Sequence, residues 1–178
     1  MNLAFKIPNK LYYIQNFLDY ETYKEIHSQV FRDKGINLQS TKDEWQKGLL
    51  HGHKNFTKKT QFSSEQYLLK KIKTILQDNP LHKIECNNFN FVLHSMEDGA
   101  GINWHNDGSY KYGVTYYLNR RWNSKFGGEL MFSQDRFSGF IPVTGNSLLI
   151  LKTPLLHKVS AVTKPLVPRK TIQIFINE

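Results

Sequence analysis

The sequence predicts an α+β fold that is mainly β, a sandwich or jelly roll with N-terminal helices packed on one of its sheets. The first reason is that the hydrophobic period is helical in parts of the first eighty residues and changes to two after about residue 84. The second is that seven or eight short strand-like segments then follow at regular spacing, which is typical of two-sheet β folds. Helices that precede the strands, rather than alternating with them, favour packing on one sheet face.

Length and composition are those of a small globular protein. The 178 residues favour one domain, with residues 1–83 as an N-terminal helical support and loop insert and residues 84–178 as the β core. Cys86 is the single cysteine, so it cannot form an internal disulfide, and we expect a reducing compartment. No apolar run has the length of a membrane span, and the N-terminus lacks the pattern of a secretory signal. We therefore expect a cytoplasmic protein without membrane contact.

The formal net charge of +9 leaves the class of partner open. A nucleic acid, an acidic protein or an anionic substrate could each account for it. A lysine-rich solvated surface is the simpler interpretation and the one that we prefer, because the sequence contains no recognised nucleic-acid motif.

The N-terminal region predicts one strand and one helix. The apolar run of residues 11–14 predicts a short edge strand. Asp19 is a suitable N-cap for a helix that continues to about Phe31. Helical spacing places its less polar side chains on one face, which consists of Tyr23, Ile26, His27 and Val30.

The next segment predicts an insert and a second helix. Residues 33–62 are polar and punctuated by glycines, which predicts a long loop or irregular insert of a kind that is often functional. A capping-box pattern beginning at Ser63 predicts a helix to about Gln77, ended by Asn79-Pro80. Its apolar stripe consists of Tyr67, Leu68, Lys71, Ile72 and Ile75.

The remaining chain alternates apolar and polar residues in short segments that are separated by turns. Residues 97–101 form a glycine-containing turn, and Gly127-Gly128 is a break between two segments. The segments predicted as strands are 84–96, 114–118, 130–132, 137–143, 147–151, 157–162 and 171–176.

Two histidines and one carboxylate in this β region have the composition of a metal site. His105 and Asp107 are two residues apart, so they point to the same side of an extended chain and one strand end can present both. His157 follows fifty residues later and must come from another strand. This ligand set is that of the facial triad, which holds non-haem iron(II) and leaves coordination positions open. The three residues therefore predict an iron site.

Arg169 stands just before the last predicted strand. Period two places Arg169, Thr171, Gln173 and Phe175 on one face of that strand. An arginine inside a barrel needs a partner, and a carboxylate held by the planar guanidinium is the natural one. A dicarboxylate cosubstrate such as 2-oxoglutarate would supply it, whereas the alternative is a surface arginine at a strand end.

Two further motifs carry a resemblance to a known family. The stretch 116–122, Tyr-Tyr-Leu-Asn-Arg-Arg-Trp, and the stretch 127–130, Gly-Gly-Glu-Leu, closely resemble the oxygen-sensing prolyl hydroxylases of the 2-oxoglutarate/Fe(II)-dependent dioxygenase superfamily. The resemblance covers residues 85–177. It implies a double-stranded β-helix (jelly-roll) core. It also implies Fe(II), 2-oxoglutarate and O2 as cofactor and cosubstrates, with ascorbate as a further candidate.

The resemblance also implies roles for individual residues. It assigns His105, Asp107 and His157 to iron, and Arg169 and Tyr117 to the distal carboxylate of 2-oxoglutarate. It further implies four pocket-lining residues, which are Thr115, Leu130, Val159 and Gln173.

One position departs from the family pattern. Many relatives have a tyrosine shortly before the first ligand histidine, and this chain has His-Ser-Met at residues 94–96 instead. We therefore expect the contact that this tyrosine makes to be changed or lost.

The activity implied is hydroxylation of an unactivated C–H bond with release of succinate and CO2, and our preferred substrate is a prolyl or similar residue in a peptide or protein. Asp107 disfavours halogenation, because halogenating relatives have a small residue in place of the carboxylate. The alternative substrate is a free amino acid or a biosynthetic intermediate, free or carrier-bound. A basic nucleic-acid-binding module without turnover is the alternative of another class, although we expect no nucleic-acid partner. The oligomeric state stays open.

Substrate contacts are expected at the mouth of the pocket. Residues 33–62 and the turn 106–112 should border it. The side chains that could meet substrate there are Trp45, His51, His53, Trp104 and Tyr112.

Overall fold

The computed structural model describes residues 2–32, 39–40, 50–51, 57–59, 67–68, 70–72, 74 and 88–177. Helix α1 is Tyr20–Arg32. No helix within these described ranges is long and apolar enough to cross a membrane. The strands, in chain order, are β1 (Asn2–Ile7), β2 (Leu11–Gln15), β3 (Gln39–Ser40), β4 (Leu50–His51), β5 (Thr57–Lys59), β6 (Asn88–Met96), β7 (Gly101–His105), β8 (Tyr112–Tyr117), β9 (Leu130–Gln134), β10 (Phe137–Ile141), β11 (Ser147–Lys152), β12 (Leu156–Val159) and β13 (Arg169–Asn177).

The strands form two antiparallel sheets that pack face to face. The larger sheet has the order β1-β2-β11-β8-β13-β6-β5-β3, and the smaller has the order β10-β9-β12-β7-β4. Apolar side chains of both sheets meet in one buried cluster, with Tyr13 and Leu149 from the larger sheet and Leu130 and Phe132 from the smaller. The prediction of a mainly β, α+β fold with a jelly-roll arrangement of two sheets is confirmed.

Helix α1 packs on the outer face of the larger sheet, as predicted. Asp19 caps it, because the backbone N–H of Thr22 donates to Oδ1 of Asp19 over 2.9 Å. The buried residues of α1 are Tyr23, Ile26 and Val30. They share one hydrophobic cluster with alternate residues of β13, which are Ile172, Ile174 and Ile176.

The described residues of the second predicted helix, 67–68, 70–72 and 74, are helical. Leu68 and Ile72 are fully buried in the same cluster as α1. The placement of Tyr67 on the apolar stripe is wrong, since this side chain is 43% exposed. Its hydroxyl instead donates to Oδ2 of Asp19 over 3.2 Å, at the cap of α1. Ile75 and the predicted end of the helix lie outside the described residues.

The first predicted strand is not an edge strand. Residues 11–14 belong to β2, which pairs with β1 on one side and β11 on the other, so the edge prediction is wrong. β1 takes the edge position. Its side chains are almost all exposed, so its sequence shows no alternation of apolar and polar residues that would predict a half-buried strand. Both strands come from the predicted N-terminal support, yet they belong to the larger sheet.

Short strands occur within the segment predicted as an irregular insert. β3 pairs with β5 and β5 with β6, which extends the larger sheet, whereas β4 pairs with β7 in the smaller sheet. In these described parts of residues 33–62 the irregular assignment is wrong, and the rest of the segment lies outside the described residues. Strands of two or three residues are too short to show a hydrophobic period.

Period two divides the central strands between a face that meets the helices and a face that meets a cavity. In β6, Phe91 and Leu93 pack in the cluster with α1. Asn90, Val92 and His94 alternate with them and line a cavity between the two sheets. The same alternation in β13 separates its three isoleucines from the residues on the cavity side. The predicted metal ligands and pocket-lining residues lie on this inner side.

Candidate metal centre and cosubstrate pocket

Two adjacent strands of the smaller sheet bring the two histidines together. His105 ends β7, and His157 is its direct register partner in β12. Each Nε2 lies 3.7 Å from an oxygen of the Asp107 carboxylate, Oδ1 for His105 and Oδ2 for His157. One ligand atom from each of the three side chains lies within 4.8 Å of the others. The group has the two-nitrogen, one-carboxylate composition that could hold one metal ion.

Backbone carbonyls fix the orientation of both imidazole rings. Nδ1 of His105 lies 2.7 Å from the carbonyl oxygen of Asn103, and Nδ1 of His157 lies 2.8 Å from that of Leu155. When each Nδ1–H donates to its carbonyl, each Nε2 keeps a lone pair for a metal. Burial lowers the pKa of His157, although the Asp107 carboxylate acts in the opposite direction. The neutral imidazole required for coordination is thereby favoured.

Asp107 is positioned by the turn after β7 rather than by an extended strand. β7 ends at His105, and the N–H of Tyr110 donates to the carbonyl oxygen of Asp107 over 2.8 Å. The carboxylate packs against the bare backbone of Gly113 in β8, where an added Cβ would collide with Oδ2. Gly113 is not among the residues predicted from the sequence. A glycine within an otherwise aromatic and β-branched strand was the available signal, since such glycines often mark a close approach.

A cavity of about 500 Å³ opens between the two sheets beside the three side chains. All four residues that the family resemblance placed in a pocket line it, namely Thr115, Leu130, Val159 and Gln173. The hydroxyl of Thr115 donates to Oε1 of Gln173 over 2.8 Å, so these two side chains form a joined polar wall. The cavity thus has one wall of hydrogen-bonding groups and one of aliphatic side chains.

Arg169 and Tyr117 lie deeper than the cavity lining and are almost fully buried. Nε of Arg169 donates to the carbonyl oxygen of Gly128 over 2.8 Å, and Nη1 lies 3.3 Å from Sδ of Met96. The guanidinium carbon is 5.4 Å from the centre of the Tyr117 ring. Gly128 has a positive φ of 78°, and a Cβ there would lie 2.7 Å from Cδ of Arg169. The glycine pair of the sequence motif therefore makes room for the arginine.

Two buried polar atoms in this region have no hydrogen-bond partner among the described residues. They are Nη2 of Arg169 and the hydroxyl of Tyr117. Burial raises the pKa of Tyr117, so its hydroxyl keeps its proton and can donate. Burial lowers the pKa of Arg169, whereas its interaction with the neighbouring Tyr117 hydroxyl acts in the opposite direction. A carboxylate is the group that would accept from both atoms at once, which is the fit expected for a dicarboxylate cosubstrate.

His94 is one of the three residues, 94–96, in the stretch where many relatives have a tyrosine. This side chain is 3% exposed and lines the cavity from β6. It is registered opposite Thr171 of β13, which in turn is opposite Tyr117 of β8. A histidine therefore stands in the same row of the larger sheet as Tyr117, and a changed contact at this point stays a prediction.

One of the predicted substrate contacts, Tyr112, is wrong, and another, Trp104, stays a prediction. Tyr112 is fully buried in the cluster with α1, because the parity of β8 turns Gly113 rather than Tyr112 toward the cavity. Trp104 is 43% exposed, lies beneath the ammonium of Lys158 at 5.1 Å and does not line the cavity. Trp45, His53 and the side chain of His51 lie outside the described residues.

The predicted turn does border the cavity. Asn106, Gly108, Ser109 and Tyr110 line it, together with Asn90 and Phe175 from the larger sheet. The rings of Tyr110 and Phe175 stack with centroids 4.6 Å apart. The period of β6 could have indicated Asn90, since it alternates with the helix-facing phenylalanines.

Comparison with protein families gives a match for the part of the chain that carries these residues. The 2OG-Fe(II) oxygenase superfamily matches residues 91–177, which include the three clustered side chains, Tyr117 and Arg169. By this match, residues 91–177 are similar to the 2OG-Fe(II) oxygenase superfamily. No curated protein matches the chain in sequence. The superfamily is one of dioxygenases that use Fe(II), 2-oxoglutarate and O2, and the match supports an enzyme of this class.

Solved structures similar to this chain have the same fold. A prolyl-4-hydroxylase of Pseudomonas putida is 12% identical, with a TM-score of 0.75, over 95% of this chain and 92% of its own. A prolyl hydroxylase of Trichoplax adhaerens, solved with a peptide fragment of the hypoxia inducible factor oxygen degradation domain, is 17% identical. Its TM-score is also 0.75, over 95% of this chain and 84% of its own.

An oxygenase with a different reaction is also similar. SnoN, the non-haem α-ketoglutarate dependent epimerase of nogalamycin biosynthesis, is 8% identical, with a TM-score of 0.69, over 96% of this chain and 79% of its own. The TM-scores of these structures establish the double-stranded β-helix fold. Their low sequence identities leave the substrate open.

Proposed function

We propose that this chain is an Fe(II)- and 2-oxoglutarate-dependent hydroxylase. In this proposal His105, Asp107 and His157 hold the iron, and Arg169 and Tyr117 bind the distal carboxylate of 2-oxoglutarate. The family match supports the class of cofactor and cosubstrate, and the clustering of the three side chains within 4.8 Å supports the assignment of the ligands.

The observation that carries the proposal is a pair of buried donors behind the cavity lining, Nη2 of Arg169 and the hydroxyl of Tyr117, which have no hydrogen-bond partner among the described residues. Buried polar atoms are normally hydrogen-bonded, so this pair indicates a missing acceptor. Alternate residues of β8 lead from one end of the site to the other. Gly113 touches Asp107, Thr115 lines the cavity, and Tyr117 faces Arg169. A molecule with a metal-binding group at one end and a carboxylate at the other matches this arrangement.

The protein residues bind and orient the metal and the cosubstrate, and they exclude water from the site. When bound, Fe(II) with 2-oxoglutarate and O2 supplies the oxidising power for C–H hydroxylation, with succinate and CO2 as coproducts. The carbonyls of Asn103 and Leu155 hold the imidazoles, and the aliphatic wall of Leu130 and Val159 keeps water from the cosubstrate. Ascorbate is proposed only as a reductant that would keep the iron ferrous.

For the substrate we propose a prolyl or similar residue of a peptide. Amide and hydroxyl side chains line the outer part of the cavity, as Asn90, Asn106 and Ser109, beside the stacked rings of Tyr110 and Phe175. Neutral amides suit a peptide backbone, and aromatic faces suit an apolar ring. The peptide complex of the Trichoplax adhaerens relative is consistent with this choice. The likeness to SnoN keeps a biosynthetic intermediate as the second candidate.

The cofactor assignment is tested by mixing anaerobic protein with Fe(II) and 2-oxoglutarate. We expect the visible charge-transfer band of the bound pair in wild type and its loss in His157→Ala. A folded wild-type protein without the band would overturn the cofactor assignment. The substrate is tested by mass spectrometry of proline-containing peptides, free amino acids and small intermediates. Addition of one oxygen to a free amino acid but to no peptide would refute the peptide proposal and leave the hydroxylase intact.

A further inference from the structure

Arg169 and Tyr117 must be held at a fixed spacing to share one carboxylate, and the paired residues of β8 and β13 stop short of Arg169. The register between β8 and β13 ends at the pair Tyr117 and Thr171. Arg169 lies beyond this pair, so on the β8 side its backbone has no partner strand. On its other side it is still registered with Met96 of β6.

The side chain of Asn119 takes the place of the missing strand. Its Oδ1 accepts from the N–H of Lys170 over 2.7 Å, and its Nδ2 donates to the carbonyl oxygen of Pro168 over 2.9 Å. These two backbone groups flank Arg169, one residue before it and one after. The carboxamide has the donor and acceptor of a peptide group, so it can continue the ladder by one position. Asn119 is 1% exposed, which makes both bonds costly to lose.

The chain connects this clamp directly to Tyr117. Asn119 follows Tyr117 by two residues, and the N–H of the intervening Leu118 donates to the carbonyl oxygen of Lys170 over 3.1 Å. Three hydrogen bonds therefore link residues 118 and 119, which follow Tyr117, to residues 168 and 170, which flank Arg169. From this arrangement we infer that Asn119 is a positioning residue that sets the geometry of the Arg169–Tyr117 pair for the distal carboxylate of 2-oxoglutarate.

The inference rests on the proposed function, and its test uses Asn119→Asp. This substitution keeps the size and the acceptor for Lys170 but places an oxygen against the carbonyl of Pro168. Asn146→Asp is the matched control. Oδ1 of Asn146 accepts from the N–H of Leu18 over 2.9 Å, and its Nδ2 donates to the carbonyl of the same residue over 2.8 Å. The control thus changes a second buried carboxamide, which bonds Leu18 and also accepts from the hydroxyl of Tyr116 over 3.0 Å.

The measurement compares two keto acids on the Fe(II)-loaded, anaerobic protein. 2-Oxoglutarate has the distal carboxylate, and 2-oxobutyrate has the same metal-binding end without it. We expect Asn119→Asp to raise the dissociation constant of 2-oxoglutarate about tenfold or more and to change that of 2-oxobutyrate and of Fe(II) by less than about twofold. Asn146→Asp should leave all three constants near wild type, whatever it does to the melting temperature.

Several outcomes would overturn the inference. Unchanged affinity for 2-oxoglutarate in a folded Asn119→Asp protein would show that the clamp does not position the pair. An equal loss for both keto acids would show a general structural defect. If Asn119→Asp does not fold, Asn119→Ser is tested by the same comparison and the same criteria apply. Wild-type protein that binds iron but neither keto acid would overturn the proposed function and this inference with it.

Discussion

Gly113→Ala is the substitution that most directly tests the placement of Asp107. A methyl group at this position would collide with Oδ2 of the carboxylate, which ordinarily needs 3.4–4 Å of separation from a Cβ. Gly113 is buried between β11 and β13, so its backbone cannot retreat. The carboxylate must therefore move, and a shift of about 1 Å would remove it from bonding distance of a metal held by the two imidazoles.

The expected loss follows from this displacement. The carboxylate oxygens are each 3.7 Å from a histidine Nε2, and one ion has to contact all three side chains. Misplaced supporting groups typically cost about ten- to hundredfold in metal affinity, so we expect the dissociation constant for Fe(II) to rise by that factor. Anaerobic calorimetric titration measures it, and circular dichroism confirms the fold of the variant.

Gly139→Ala is the matched control. This glycine also lies in a strand, and a Cβ there would come within 2.8 Å of the Phe132 ring, far from the carboxylate in the chain. We expect Gly139→Ala to retain the metal affinity of wild type even if it melts earlier. Metal affinity that is the same in a folded Gly113→Ala protein and in wild type would refute the reasoning, because Asp107 would then not be a ligand or not be fixed by Gly113.

Tyr117→Phe removes a buried hydroxyl without a described partner, so the cosubstrate-free protein should melt no earlier than wild type, while the dissociation constant of 2-oxoglutarate rises about tenfold. An earlier melt with unchanged affinity would contradict this. Hydrogen bonds from Thr22 lower the pKa of Asp19 below its ordinary value of 3.8, so its stabilising effect is complete above that pH and is lost as the pH falls through the lowered pKa. Asp19→Ala should therefore melt earlier near neutral pH, and its deficit should shrink in strong acid. A deficit of the same size at both pH values would speak against the cap.

The sequence predicts those elements in which a regular hydrophobic pattern continues over many residues. Helix α1 and the alternation of β6 and β13 follow from residues such as Ile26, Leu93 and Ile174, because each element buries one face against a single large cluster. β1 has almost no buried side chain, and β3, β4 and β5 have two or three residues each, so none of them carries a period. Because β1 shows no such pattern, the sequence does not predict it, and β2 is therefore predicted at the edge of the sheet.

The candidate site divides in a similar way between sequence and structure. The types and spacing of His105, Asp107 and His157 carry a metal hypothesis by themselves, since coordination chemistry depends on ligand identity. The sequence motifs also carry the resemblance that points to Tyr117 and Arg169. These are local properties of the chain, and no tertiary information is needed to read them.

Tertiary structure decided which atoms meet. Pairing of β7 with β12 puts His157 opposite His105, and the chain path after β7 turns the Asp107 carboxylate onto Gly113. Burial left Arg169 and Tyr117 each with a donor that has no partner among the described residues. Such facts depend on strand register and on the close approach of residues that are distant in sequence. The hydrophobic pattern of the sequence predicts which face of a helix or strand a side chain lies on. The space around that side chain is set by residues that are distant in sequence and that only the folded chain brings close.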